Sequence, residues 1–264
     1  MPNSSRLRRS WRHASRALGF ALALLAAVPA AAELADTILK VKPSIVAVGT
    51  YQRARTPPFR LLGTGFAVGD GSLVATNSHV VPATLDAERF EELIVFAFGE
   101  GGEPKPFRAT KRGSDPTHDL ALLKLEGVVL PALRLEESLR VREGQAIAFT
   151  GFPIVGALGL SPATHRGIVS AITPNVRPTA QGGQLNPQAI KRIREGSFPV
   201  LQLDATAYPG NSGSPVFDQE SGNVLAVVNM VFVKGSKESA LSQPSGITYA
   251  IPAHFLKALI DQAR

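Results

Sequence analysis

Between residues 44 and 251 the chain is a succession of short apolar runs, each stopped by Gly, Pro, Asn or Asp before it reaches the length of an ordinary helix. The clearest span 44–50, 65–68, 72–76, 93–98, 120–125 and 145–150, then 167–172, 200–203, 224–232 and 247–251. They are rich in Val, Ile, Leu, Phe and Thr, and their regular spacing predicts an all-β sandwich or barrel. Helix signals are few. Residues 34–40 and 83–92 suit a turn or two, and 252–263 suit a C-terminal helix in which Phe255, Leu256, Leu259 and Ile260 share one face. A charged, weakly patterned waist at 131–143 divides the chain into halves of similar size, expected at 33–135 and 136–264. The longest loop-like stretch is 174–199, a surface excursion with a basic middle at Lys191, Arg192 and Arg194.

The formal charge of +7 invites a nucleic-acid reading, which fails once the charge is located. Arg6, Arg8, Arg9, Arg12 and Arg16 precede an apolar run at 17–28, and Ala30, Ala31 and Ala32 precede Glu33. A basic segment, a short apolar segment and a small-residue cleavage site form a secretory signal peptide, expected at 1–32. Without it the charge falls from +7 to +2, so no basic footprint for nucleic acid remains. The apolar run is shorter than the ~20 residues of a membrane span, so membrane attachment is expected only if the segment stays uncleaved. Arg8-Arg9 fits a twin-arginine signal loosely, and Sec export is the preferred route. The expected location is periplasmic or secreted. There is no cysteine, which excludes disulfides, a thiolate nucleophile and cysteine-based zinc sites. His118, His165 and His254 lack ligand-like spacing, so neither a metal nor a cofactor is expected.

Three segments carry chemistry. In Tyr208-Pro209-Gly210-Asn211-Ser212-Gly213-Ser214-Pro215, glycines bracket a serine. A serine hydroxyl is a weak nucleophile and needs both a base and a pocket of N–H donors. A tight turn here would aim the Ser212 hydroxyl outward and the amides of Gly210 and Ser212 at one point, as an oxyanion hole requires. Read alone, the segment equally suits a plain turn between strands. In Ala75-Thr76-Asn77-Ser78-His79-Val80-Val81 a histidine stands at the mouth of an apolar strand. In Thr117-His118-Asp119-Leu120 a carboxylate stands immediately before another. Singly, each is commonly structural. Together, in the order His, Asp, Ser, they match the chymotrypsin arrangement of a catalytic triad.

The chain thus resembles a trypsin-like serine peptidase of chymotrypsin fold, and within that group it is most similar to the protease domain of the HtrA (Deg) family. Beside the triad segments, the likeness runs through Gly63-Thr64-Gly65-Phe66, Gly151-Phe152-Pro153, Gly167-Ile168-Val169-Ser170-Ala171 and Tyr249-Ala250-Ile251-Pro252. The resemblance implies two six-stranded antiparallel β-barrels with a C-terminal helix, and a site between them. It implies that His79 takes the Ser212 proton, that Asp119 orients His79, and that an acyl-enzyme forms. Protein or peptide substrates follow, among them exported or misfolded proteins in quality control. Thr206, six positions before the nucleophile, would line the base of the specificity pocket. Asn229 and Val231 would line the edge strand that pairs with substrate, with Val231 favouring small or medium apolar side chains. The 174–199 stretch would be a regulatory or partner-binding loop. Homo-oligomers are common among such domains, though no residue here decides it.

The chain also departs from the family. HtrA proteins usually carry a PDZ domain after the protease, and none is expected after the helix following Pro252. Ser214 stands where a glycine is common, and Tyr208-Pro209 alters the entrance to the oxyanion loop. A different hydrolase class, the α/β-hydrolase esterases, would require Gly at position 214, then a helix, then Asp before His. Pro215-Val216-Phe217 reads as a strand instead. The remaining alternative is a catalytically silent or latent binding or chaperone-like module, which would be marked by loss of a triad residue or of the Gly210–Gly213 turn.

Overall fold

The structure is a computed structural model describing residues 30–98, 103–136, 141–154, 159–175, 197–229 and 246–263. The chain divides into two compact units, Met1–Asp36 and Thr37–Arg264. Of the first, the described part is the opening of helix α1 (Ala30–Val41). The second holds every strand among the described residues.

Six strands close a first barrel in the order β1-β2-β3-β6-β5-β4, and six close a second in the order β10-β11-β12-β9-β8-β7. The first comprises β1 (Ile45–Tyr51), β2 (Phe59–Val68), β3 (Leu73–Asn77), β4 (Glu92–Phe98), β5 (Pro104–Asp115) and β6 (Leu120–Leu125). The second comprises β7 (Ala146–Gly151), β8 (Ala163–Pro174), β9 (Pro199–Asp204), β10 (Pro215–Asp218), β11 (Val224–Asn229) and β12 (Ile247–Pro252). All pairings between these strands are antiparallel. Helix α2 (Ala253–Ala263) follows, with Leu256, Leu259 and Ile260 buried. This is the double-barrel architecture expected from the motifs.

Each barrel encloses its own apolar core. Val46, Val48, Val74, Val95, Ala121 and Leu123 pack inside the first, and Ile147, Phe149, Val169, Leu203, Val216 and Val228 inside the second. Strand β5 carries no run that marks it in the sequence. It holds two prolines and several charges, and only Ala109 is fully buried. It forms because β4 and β6 supply hydrogen-bonding partners on both sides.

The connection between the barrels is built from backbone bonds. Leu133 N donates to Ala67 O of β2, and two residues on, Leu135 bridges Val224 of β11, flanked by Glu136 N to Val224 O and Val224 N to Arg134 O at 2.8 Å each. A polar segment can therefore lie against both barrels without an apolar pattern of its own.

Candidate active site

Antiparallel pairing of β3 with β6 ends at Asn77 opposite Leu120. The residues just past the end of β3 therefore meet those just before β6, which brings His79 beside Asp119. His79 sits in a 3-10 turn, Ser78–Val80. Its backbone N–H donates to Asp119 Oδ1 at 2.9 Å, and its ring Nδ1 lies 2.6 Å from Oδ2. Asn229 Nδ2, from the end of β11 in the other barrel, donates to the same Oδ2 at 2.7 Å. The carboxylate is thus held from three directions and can fix the imidazole tautomer with Nδ1 protonated.

The backbone of Asp119 is held as firmly. Its carbonyl accepts from Asn77 Nδ2 and Ser78 N, both at 3.0 Å. Its φ of 54° lies in the left-handed region, which costs a non-glycine residue about 1–3 kcal/mol. These contacts supply what holds it there.

Ser212 lies in the loop between β9 and β10 and is 6% exposed. The loop is pressed onto the first barrel, where Thr64 N of β2 donates to Ser212 O at 2.8 Å. Gly63 makes the approach feasible. A Cβ there would stand 2.7 Å from Val80 Cγ2 and 2.9 Å from Ser212 O, so the serine loop and the His79 turn share its two flanks. Ser212 Oγ makes no hydrogen bond to His79, and such nucleophile–base bonds often tighten only around substrate.

Two amides of the loop are available as donors. Asn211 N, Gly213 N and Ser214 N bond to Tyr208 O, Val228 O and Asn211 O. Those of Gly210 and Ser212 have no partner among the described residues. Pro209 O accepts from Ile154 N at 2.9 Å, and in a trans peptide the N–H points opposite to the C=O. The Gly210 N–H is therefore turned away from the 151–154 segment. Gly210 has φ 103°, and a Cβ would collide with Phe152 O, so only glycine fits.

Of the other expected site residues, Thr206 is half-buried between the buried Ala205 and Ala207. Thr248 ties that run to β12 by donating to Ala205 O at 2.6 Å and accepting from Ala207 N at 3.1 Å. Asn229 pairs with Tyr249 through its backbone register and turns its side chain to Asp119, a contact that its place in a strand does not announce. Val231 and the interior of 174–199 lie outside the described residues. The ends of that stretch are joined, with Asn175 Oδ1 accepting from Phe198 N at 2.9 Å. Phe198 packs edge-on against His118, which itself stacks on Phe255 at 3.9 Å and pairs with Asp115 at 2.5 Å. Among the described residues no three His, Cys, Asp or Glu side chains gather as a metal site would need.

Two closed six-stranded antiparallel barrels, the first carrying the His79–Asp119 pair and the second a glycine-bracketed serine loop bonded to β2 of the first, define a chymotrypsin-like double barrel. The chain belongs to the trypsin-like peptidase domain family, whose family model matches residues 63–227. It is 30% identical over 205 residues to the probable periplasmic serine endoprotease DegP-like of Halomonas elongata, spanning 78% of this chain and 35% of that one. A protein of the same name from Pseudomonas fluorescens is 30% identical over 191 residues, spanning 72% of this chain and 32% of that one. The chain therefore spans about a third of the length of these relatives. The structure of the HtrA-type protease AlgW with a tripeptide superposes with a TM-score of 0.61 at 25% identity, covering 87% of this chain and 62% of that one.

Proposed function

We propose that this protein is a periplasmic serine endopeptidase that cleaves peptide bonds of exported or misfolded proteins. The observation that carries the reading is the Asp119 carboxylate, which accepts from the backbone of His79, faces its ring Nδ1 and accepts from Asn229 across the barrel junction. Such a clamp fixes the ring in the tautomer whose Nε2 can accept a proton. In this reading Ser212 attacks the scissile carbonyl, and His79 takes its proton and returns it to the leaving amine. The amides of Gly210 and Ser212 stabilise the oxyanion, and water then releases the acyl group. Thr206, Asn229 and Val231 are the substrate-binding residues of this reading, and apolar residues of modest size fit ahead of the cleaved bond.

The periplasmic naming of the relatives and the arginine-led first 32 residues both support export. The protein recovered from a periplasmic extract should then begin at Glu33, as read by intact mass; a species that retains residues 1–32 would speak against cleavage.

The reading is tested with unfolded casein and a fluorophosphonate probe, comparing the wild type with Ser212→Ala. Cleavage and labelling should occur in the wild type and vanish in the variant. A folded wild type that does neither would instead favour a silent or latent binding module.

A further inference from the structure

Thr64 stands where the two halves of the site meet. It lies on β2 of the first barrel and is fully buried, yet all of its polar groups are used. Its N–H donates to Ser212 O at 2.8 Å. Its hydroxyl donates to Gly210 O at 2.7 Å and accepts from Phe152 N at 3.0 Å. Its carbonyl accepts from the hydroxyl of Thr76 on β3 at 2.7 Å, which keeps its peptide in place.

Between Pro209 and Gly213 the loop has four peptide groups, and those joining Pro209 to Gly210 and Asn211 to Ser212 carry the two candidate donor N–H groups. The one joining Asn211 to Ser212 is held at its carbonyl by Ser214 N at 3.0 Å. The one joining Pro209 to Gly210 is held by Ile154 N, in the same short segment that Phe152 begins. The one joining Gly210 to Asn211 is held by the Thr64 hydroxyl at its carbonyl and by Tyr208 O at its amide. The one joining Ser212 to Gly213 is held by Thr64 N and Val228 O. Thr64 thus grips two of the four, each adjoining a donor-bearing peptide, and through Phe152 N it also fixes the segment that grips the Pro209–Gly210 peptide. Glycine at 210 has no side chain to limit its rotation, so these contacts are what select one orientation.

We propose that the Thr64 hydroxyl is the positioning group that holds the oxyanion loop in its donor-inward form, and so sets the turnover rate without touching substrate. The proposal rests on the serine-endopeptidase reading above. Without the hydroxyl, Phe152 N becomes unpaired in a buried place and Gly210 O in a half-buried one, and the cheapest relief is rotation of the loop peptides. Rotation carried into the adjoining Pro209–Gly210 peptide withdraws the Gly210 N–H, a donor that matters more in the transition state than in the bound substrate.

The test uses the full protein and N-acetyl-L-valine p-nitrophenyl ester, with fluorophosphonate labelling and thermal unfolding followed in parallel. Thr64→Val, which keeps the shape and removes the hydroxyl, should lower kcat about 10- to 100-fold with KM little changed. Thr64→Ser, which restores the hydroxyl, should recover most of the rate. If Thr64→Val does not fold, Thr64→Cys, a weak donor of similar size, should fall between serine and valine in the expected order. A wild-type kcat in Thr64→Val or in folded Thr64→Cys would overturn the proposal, as would a Thr64→Ser that folds normally yet remains as slow as valine. A folded wild type that neither hydrolyses the ester nor takes the label would sink the peptidase reading itself, and the proposal with it. An active wild type beside an equally active Thr64→Val would sink the proposal alone.

Discussion

Asn229 and Asp119 are 110 residues apart, and their side chains meet at 2.7 Å. The contact joins β11 of the second barrel to the turn before β6 of the first, so it reports whether the two halves of the site are assembled. A hydrogen bond to a charged group is worth about 1.5–3 kcal/mol. Asn229→Ala should therefore lower kcat by about 10- to 100-fold, since each 1.4 kcal/mol of barrier is about tenfold in rate. The loss should lie in kcat rather than KM, because in the proposed mechanism Asp119 acts through His79 and not on substrate. Steady-state kinetics on a small ester decides it: a raised KM at unchanged kcat would place Asn229 on the substrate side alone.

Helix α2 is the element that ties the barrels together. It packs on β5 and β6 of the first and on β11 and β12 of the second. Its last turn is held by Arg112 of β5, whose Nε and Nη2 donate to Ala263 O at 3.1 and 2.8 Å, placing a cation at the helix C-terminus. Its opening turn carries Phe255, stacked on His118, the residue before Asp119. Leu256 is fully buried on the inner face. Leu256→Ala should reduce the free energy of unfolding by about 2–5 kcal/mol. Leu39→Ala on α1, where the side chain is 71% exposed, should change it by less than about 0.5 kcal/mol. Urea denaturation of both variants tests the contrast, and equal midpoints would show that α2 is not part of the cooperative fold.

At the scale of the whole molecule, stability should depend on pH through two histidines. Burial pushes His165 below its ordinary value, on the wall formed by Phe149 and near Tyr208. Burial, and then the charge of His118, push His254 down as well. A histidine depressed by folding binds fewer protons in the native state than in the unfolded chain. Its contribution is therefore complete above the ordinary value of 6.5 and is lost as pH falls through the lower native value. The melting temperature should drop between pH 8 and 5, and His165→Phe should remove part of that drop. A flat wild-type profile would contradict it. The carboxyls of Asp70 and Glu91, lowered from 3.8 and 4.5 chiefly by hydrogen bonds, act in a separate and more acid window.

The two barrels have the same strand order, offset by six, although no repeat is visible in the sequence. A barrel requires only alternate apolar positions and turns of suitable length, which many unrelated residues satisfy. For that reason the short punctuated runs were enough to predict an all-β chain, while the triad segments mark His79, Asp119 and Ser212 as the residues to propose. Those signals are local: a strand declares itself by periodicity, and a reactive loop by the glycines it needs. What the tertiary structure decided is non-local. Strand β5 exists because its neighbours complete its hydrogen bonds. Asn229 faces Asp119 because two barrels meet, and Thr64 joins residues 88 and 146 positions away. A hydrogen bond between distant residues leaves no periodic trace in either segment. Its distance and direction are set only when the packed barrels have fixed both backbones.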